Sequence, residues 1–161
     1  MDRDDTLVLR IGTAADLPAI NAVVEAAVMT WDLPDRVKRL AMPSYRYGEH
    51  DLDYLELIVA TDSDDRILGV AGFEPADPKD APAGHYALLL HGLYVVPAHH
   101  RQGIGRRLLQ AVEDAACKRG YDGLLVKAQA GSEDFFIAQG MTELTVRDTE
   151  RDYPHRFFKA I

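Results

Sequence analysis

The 161-residue chain is 47% hydrophobic and 27% charged with a formal net charge of −8, the composition of one globular domain over residues 1–161. An acidic balance argues against non-specific nucleic-acid binding, which needs a basic face. No apolar run approaches the ~18 residues that span a bilayer, no apolar leader follows Met1, and the single cysteine, Cys117, leaves no internal disulfide. The expectation is a cytoplasmic protein with neither nucleic acid nor membrane as partner.

Residues 7–11 are apolar with a break at Arg10 and predict a first strand. Gly12-Thr13 turns it, and Thr13 or Asp16 can cap a helix over residues 14–29. On that helix Leu17, Ile20, Val23, Val24, Ala27 and Val28 share one face, with Pro18 in the first turn where its missing N–H costs little. A short helix is expected over 35–40, after Pro34, whereas residues 41–53 show no order. Residues 57–60 and 67–73 read as a hairpin around the acidic turn 62–65. The span 74–84 holds three prolines and no period, and reads as a loop.

The longest apolar run covers 85–96. His91-Gly92 interrupts it, and a glycine inside a strand marks a bulge or the close approach of another backbone. Pro97 stops the strand. A basic turn follows, then Gly103 and Gly105, then Ile104, Leu108, Ala111, Val112, Ala115 and Ala116 at helical spacing to about Arg119, where Gly120 ends the helix. Glycines in the turn and the free N–H groups of a helix start make an anion cradle, with phosphate as the natural anion. Residues 122–128 form a buried strand, which the right-handed crossover sets parallel to 85–96. Ser132 caps a short helix over 133–139 ended by Gly140, and 141–146 and 157–161 are the last strands, around a charged loop 147–155. The fold class is α/β (α+β), a mixed, mostly antiparallel sheet with helices on both faces.

Pro97, Gly103-Ile104-Gly105, the preceding Leu93-Tyr94-Val95 and the following Arg106-Arg107-Leu108-Leu109 resemble the acetyl-CoA signature of the GNAT superfamily of N-acetyltransferases. Residues 10–17 resemble that family's opening strand and helix, residues 67–73 its central hairpin strand, and Phe135-Phe136 with Gly140-Met141 its Phe-Tyr-x-x-x-Gly-Phe segment. The resemblance implies a parallel strand pair, 85–96 and 122–128, that splays apart. It implies acetyl-CoA as cosubstrate, with no metal. The pantetheine arm would pair with Leu93, Tyr94 and Val95, and the pyrophosphate would rest on the amides of Arg101, Gln102, Gly103, Ile104, Gly105 and Arg106. His100 stands where the family carries Arg or Gln, so a fixed cation is absent there. Phe136 stands where the family carries its proton-donating Tyr, and is assigned to packing on the pantetheine.

Acetyl transfer to an amine needs a neutral amine, yet one with pKa near ~10.4 is only about one part in a thousand neutral at pH 7. A base must take its proton. His91, beside Gly92 in the apolar strand, is the candidate, because imidazole titrates in the right range. For the acid that reprotonates the thiolate, Tyr153, His155 and Tyr94 are candidates; Glu74 is a second base or an amine anchor. Trp31, Tyr45 and Tyr47 would line the acceptor pocket. Cys117 has no neighbouring histidine, and the histidine spacings match no common metal site. The expected function is transfer of acetyl from acetyl-CoA to a primary amine of a small molecule or protein, and the resemblance allows a homodimer. The alternative is a catalytically silent acyl-CoA-binding regulatory module.

Overall fold

The apolar runs become the strands of a seven-stranded sheet in a computed structural model that describes residues 7–129, 131–149 and 155–161. In chain order the strands are β1 (Val8–Ile11), β2 (Glu56–Thr61), β3 (Ile67–Pro75), β4 (Ala87–Val95), β5 (Gly123–Lys127), β6 (Thr142–Glu143) and β7 (Arg156–Ala160). The helices are α1 (Leu17–Val28), α2 (Asp35–Tyr45), α3 (Ile104–Lys118) and α4 (Glu133–Ala138). The sheet order is β1-β2-β3-β4-β5-β7-β6, mostly antiparallel, with β4 and β5 as its parallel pair. The chain packs as two compact units, Met1–Gly72 with Gly92–Ala111, and Phe73–His91 with Val112–Ile161.

In the first unit β1 pairs antiparallel with β2, from Val8 against Thr61 to Ile11 against Ile58. A 3-10 turn over Ala14–Asp16 leads into α1. Asp16 fixes that entry: its carboxylate accepts from the Thr13 N–H at 2.8 Å and from both Arg10 guanidinium nitrogens at 2.8 and 2.9 Å. The face read from the sequence, Leu17 through Val28, is the one α1 buries. Each of its fully buried Val and Ile side chains stabilises by about 1.5–3 kcal/mol.

The helix expected over 35–40 runs on to Tyr45, through Pro43. Pro43 gives no N–H to the Arg39 carbonyl, but both residues are exposed and water can serve that group. What extends the helix is burial of Lys38 and Met42, with Lys38 Nζ donating to the Met29 carbonyl at the end of α1, 2.7 Å away. The following residues are also ordered. Asn21 on α1 holds the Tyr47 backbone at both ends, donating to its carbonyl and accepting from its N–H, each at 2.8 Å.

In the second unit β4 pairs parallel with β5, from Ala87 against Gly123 to Leu90 against Val126. β7 runs antiparallel to β5, and β6 to β7. The strand expected over 141–146 shrinks to Thr142 and Glu143. Leu144 N–H still reaches the Arg156 carbonyl at 2.8 Å, but Thr145 gives its carbonyl to the Arg156 side chain, so the chain leaves the ladder. Ser132 precedes α4 without capping it, since its hydroxyl turns back to the Gln129 carbonyl at 2.7 Å. Gly140, at φ +85°, ends that helix as expected.

Candidate active site

The β3–β4 ladder shows what His91-Gly92 does to the strand. Ala76 N–H donates to the Ala87 carbonyl at 3.0 Å, and Val96 N–H to the Leu68 carbonyl at 2.8 Å. Ideal Cβ atoms on Gly72 and Gly92 would lie 2.8 and 2.7 Å from the same atom, Tyr47 Oη. The two glycines therefore face one side, toward the Tyr47 hydroxyl. The close approach at Gly92 comes from the Tyr47 hydroxyl rather than from a backbone.

Beyond Val95 the chain turns through Pro97–His99 and passes Arg101 at φ +64° and Gly103 at φ +79°. Glycine adopts that region freely; arginine adopts it at a cost of roughly 1–2 kcal/mol. Nothing lies within 4 Å of where a Gly103 Cβ would stand, so this side of the loop is open. Among the described residues, no backbone carbonyl accepts from the amides of Arg101, Gln102, Gly103, Ile104, Gly105 or Arg106, and the first bond into α3 is Arg107 N–H to the Gly103 carbonyl at 3.0 Å. Six N–H donors thus gather at the positive end of a 15-residue helix.

That helix start is held firmly. Ile104 and Leu108 are buried against Gly69, where an ideal Cβ would come within 3.1 and 2.9 Å of their side chains. The His100 imidazole donates from Nε2 to the Val95 carbonyl at 2.9 Å, tying the loop to the end of β4. His99 Nδ1 lies 3.1 Å from Gln102 Oε1. The arrangement fits a phosphate-bearing ligand: bare amides, a helix dipole, and the exposed cations Arg101 and Arg106.

Tyr94 is buried, while its neighbours Leu93 and Val95 are half-exposed. Trp31 stacks on the Tyr94 ring at 6.5 Å and meets Tyr45 edge-on at 5.2 Å. Burial, helped by nearby Tyr45, pushes the Tyr94 phenol above its ordinary range, so it stays protonated at neutral pH. Sequence reasoning missed Asn21, which holds Tyr47 in this cluster; the only local sign of such crowding is glycine at 72 and 92.

The first unit therefore brings together Leu93, Tyr94, Val95, His100 and the loop Arg101–Arg106, and with them Trp31, Tyr45 and Tyr47. In the second unit His91 is exposed, one residue past the last parallel pair, Leu90 against Val126. Glu74 lines an open groove of about 520 Å³ with Asp77, Lys79, Asp80, Leu89 and Lys127. There Lys127 Nζ pairs with Asp80 at 3.1 Å and Lys79 with Asp77 at 3.8 Å, and Glu74 has no cation partner among the described residues. Phe136 is buried, stacked on Phe157 at 6.1 Å and edge-on to Phe135 at 5.1 Å. His155 Nδ1 is 3.5 Å from Glu133 Oε1. Tyr153 lies outside the described residues. Among the described residues no three His, Cys, Asp or Glu side chains gather as metal ligands, and no helix is long and apolar enough to cross a membrane.

Residues 25–141 match the model of the Acetyltransferase (GNAT) family. No curated protein matches the chain. Among solved structures, the PaiA N-acetyltransferase of Thermoplasma acidophilum in complex with coenzyme A is similar over 97% of this chain and 99% of its own, with a TM-score of 0.78 at 14% identity. The GNAT family N-acetyltransferase YhbS of Escherichia coli, in complex with CoA, is similar over 96% of this chain and 81% of its own, with a TM-score of 0.68 at 18% identity. A GNAT family acetyltransferase of Brucella melitensis in complex with acetyl-CoA is similar over 96% and 87%, with a TM-score of 0.65 at 20% identity.

Proposed function

We propose, from the premise that this chain belongs to the acetyltransferase (GNAT) family, that it works as one domain over residues 1–161 and transfers the acetyl group of acetyl-CoA to a primary amine of a small molecule or protein. The observation that carries this reading is the row of six bare amides at the start of α3, opened by left-handed Arg101 and Gly103. When bound, acetyl-CoA supplies an activated thioester. The chain's own residues do the rest. The amides of Arg101 to Arg106 hold the pyrophosphate, with Arg101 and Arg106 adding charge. The backbone of Leu93, Tyr94 and Val95 offers the ladder groups of a strand end to the pantetheine, and His100 keeps the loop against that end.

His91 takes the proton from the acceptor amine. Its exposure supports this role, since a base must meet both substrate and solvent to pass its proton on. The Glu74 carboxylate, which has no cation partner among the described residues, anchors the ammonium form of the acceptor, and Tyr153 is the acid. Phe136 carries no hydroxyl, and this favours a second reading, a module that binds acyl-CoA without turning it over. Thiol release from acetyl-CoA across a broad amine panel, beside calorimetric titration of acetyl-CoA, separates the two. Binding with amine-dependent thiol release supports the enzyme; binding alone across the panel supports the module; no binding refutes both.

A further inference from the structure

The loop before α3 carries a side chain that is fixed in place and can still change its charge. His100 directly precedes the six bare amides, and its ring reaches back five residues to the end of β4. The Val95 carbonyl can only accept, so Nε2, 2.9 Å away, carries the hydrogen of that bond. The other ring nitrogen, Nδ1, has no hydrogen-bond partner among the described residues, and the side chain is exposed. His99 differs: its Nδ1 lies 3.1 Å from Gln102 Oε1, and the residue is half-buried.

The charged groups around this loop are His99 and Arg101 beside it and Arg106 and Arg107 in the first turn of α3. The β2–β3 turn adds Asp62, whose carboxyl is held low mainly by the Arg66 N–H and in small part by His99. Asp62 already pairs with Arg66 at 3.3 Å, whereas Arg101 and Arg106 have no ion-pair partner among the described residues. Proton uptake at Nδ1 therefore breaks no bond. The Nε2–H stays on Val95, and what changes is one positive charge beside the amides. An anion on those amides favours that charge, so anion and proton each help the other to bind.

We propose that His100 couples acetyl-CoA binding to uptake of a proton at its Nδ1. The inference rests on the reading of this loop as the pyrophosphate cradle. The tether to Val95 holds in both charge states, and the imidazolium adds a cation that the neutral ring lacks. Affinity for acetyl-CoA then rises by about fivefold as pH falls through the range in which imidazole titrates, the worth of one exposed charge pair.

Calorimetric titration of acetyl-CoA in paired buffers of different ionisation enthalpy reads affinity and proton uptake together. It covers about pH 5.5–8.5, which brackets the imidazole range. Phosphates of the ligand also titrate there, near ~6, so parent and variants are compared at the same pH. His100→Gln sets an amide N–H where Nε2 stands and keeps the bond to Val95 without a titrating group. The parent takes up about 0.4 proton more per ligand than this variant near pH 7, the maximum for a fivefold coupling. His100→Arg, a fixed cation, binds more tightly than His100→Gln at the alkaline end and takes up no excess proton. Uptake is counted per ligand bound, so a variant of lower stability still gives an answer. Equal uptake by the parent and His100→Gln overturns the proposal and leaves the cradle reading standing. A parent that binds no acetyl-CoA at any pH overturns the cradle reading and the proposal with it.

Discussion

Gly92→Ala tests the packing that shapes β4. Its new methyl would stand 2.7 Å from Tyr47 Oη and 2.7 Å from Tyr94 Cε2, well inside the ~3.5–4.0 Å of favourable heavy-atom contact. Neither ring yields easily. Tyr47 is buried and its backbone is clamped by Asn21, and Tyr94 is buried under Trp31. Overpacking of this kind costs about 1–3 kcal/mol, a fall in Tm of roughly 2–4 °C per kcal/mol at this chain length. Tyr47→Phe removes one of the two clashing atoms and leaves Tyr94 Cε2. The double variant should therefore recover part of the loss, with a coupling of about 0.5–1.5 kcal/mol in a denaturant double-mutant cycle. Full stability of Gly92→Ala, or strict additivity with Tyr47→Phe, would refute the reasoning.

Three further perturbations probe the cradle, the chemistry and the entry to α1. Gly103→Ala meets no atom within 4 Å but must hold φ +79°, so it should cost about 1 kcal/mol of stability; its calorimetric affinity for acetyl-CoA should fall by tenfold or more, and an unchanged affinity would remove Gly103 from the cradle. His91→Ala should lower kcat at least a hundredfold while shifting the KM for acetyl-CoA less than threefold, and its acidic pH–rate limb should disappear; a pH–rate profile identical to the parent's takes His91 out of the mechanism. The Arg10 guanidinium, whose hydrogen bonds are the main cause, holds the Asp16 carboxyl well below the usual range. A depressed folded pKa gives stability above the unfolded value of ~3.9 that is lost as pH falls below it. Arg10→Met should therefore be less stable than the parent in urea at pH 7, and the gap should narrow below about pH 4; a gap independent of pH would refute the linkage.

The elements legible in the sequence are those made by local grammar. Alternation or an apolar run marked β1 to β5 and β7, helical spacing marked α1 and α3, and Pro97, Gly103 and Gly105 punctuated the loop between β4 and α3. What was not legible depends on partners distant in sequence. Residues 41–53 carry no period, and their order comes from Asn21 reaching Tyr47 across 26 positions and from Lys38 capping α1. The strand after Gly140 stops early because an arginine from the next strand takes its Thr145 carbonyl, a competition invisible in the apolar pattern of 141–146. At Gly92 the residue type signalled crowding but could not name the Tyr47 hydroxyl as its cause.

The same division separates the two halves of the chemistry. A cofactor gripped by backbone amides needs only that a chain stop, turn left-handed and start a helix. Proline and glycine write those instructions locally, which is why residues 97–105 identify a phosphate cradle before any packing is known. An acceptor gripped by side chains has no such grammar. The residues expected to grip it, Glu74 and the aromatic residues 31, 45 and 47, take their surroundings from contacts dozens of residues away. His91 stands where the two regimes meet. Its place in an apolar run is local, but its exposure is settled by how the strand packs. Replacing the imidazole alone would leave the cradle's amides as they are. Acetyl-CoA binding should then survive where turnover does not.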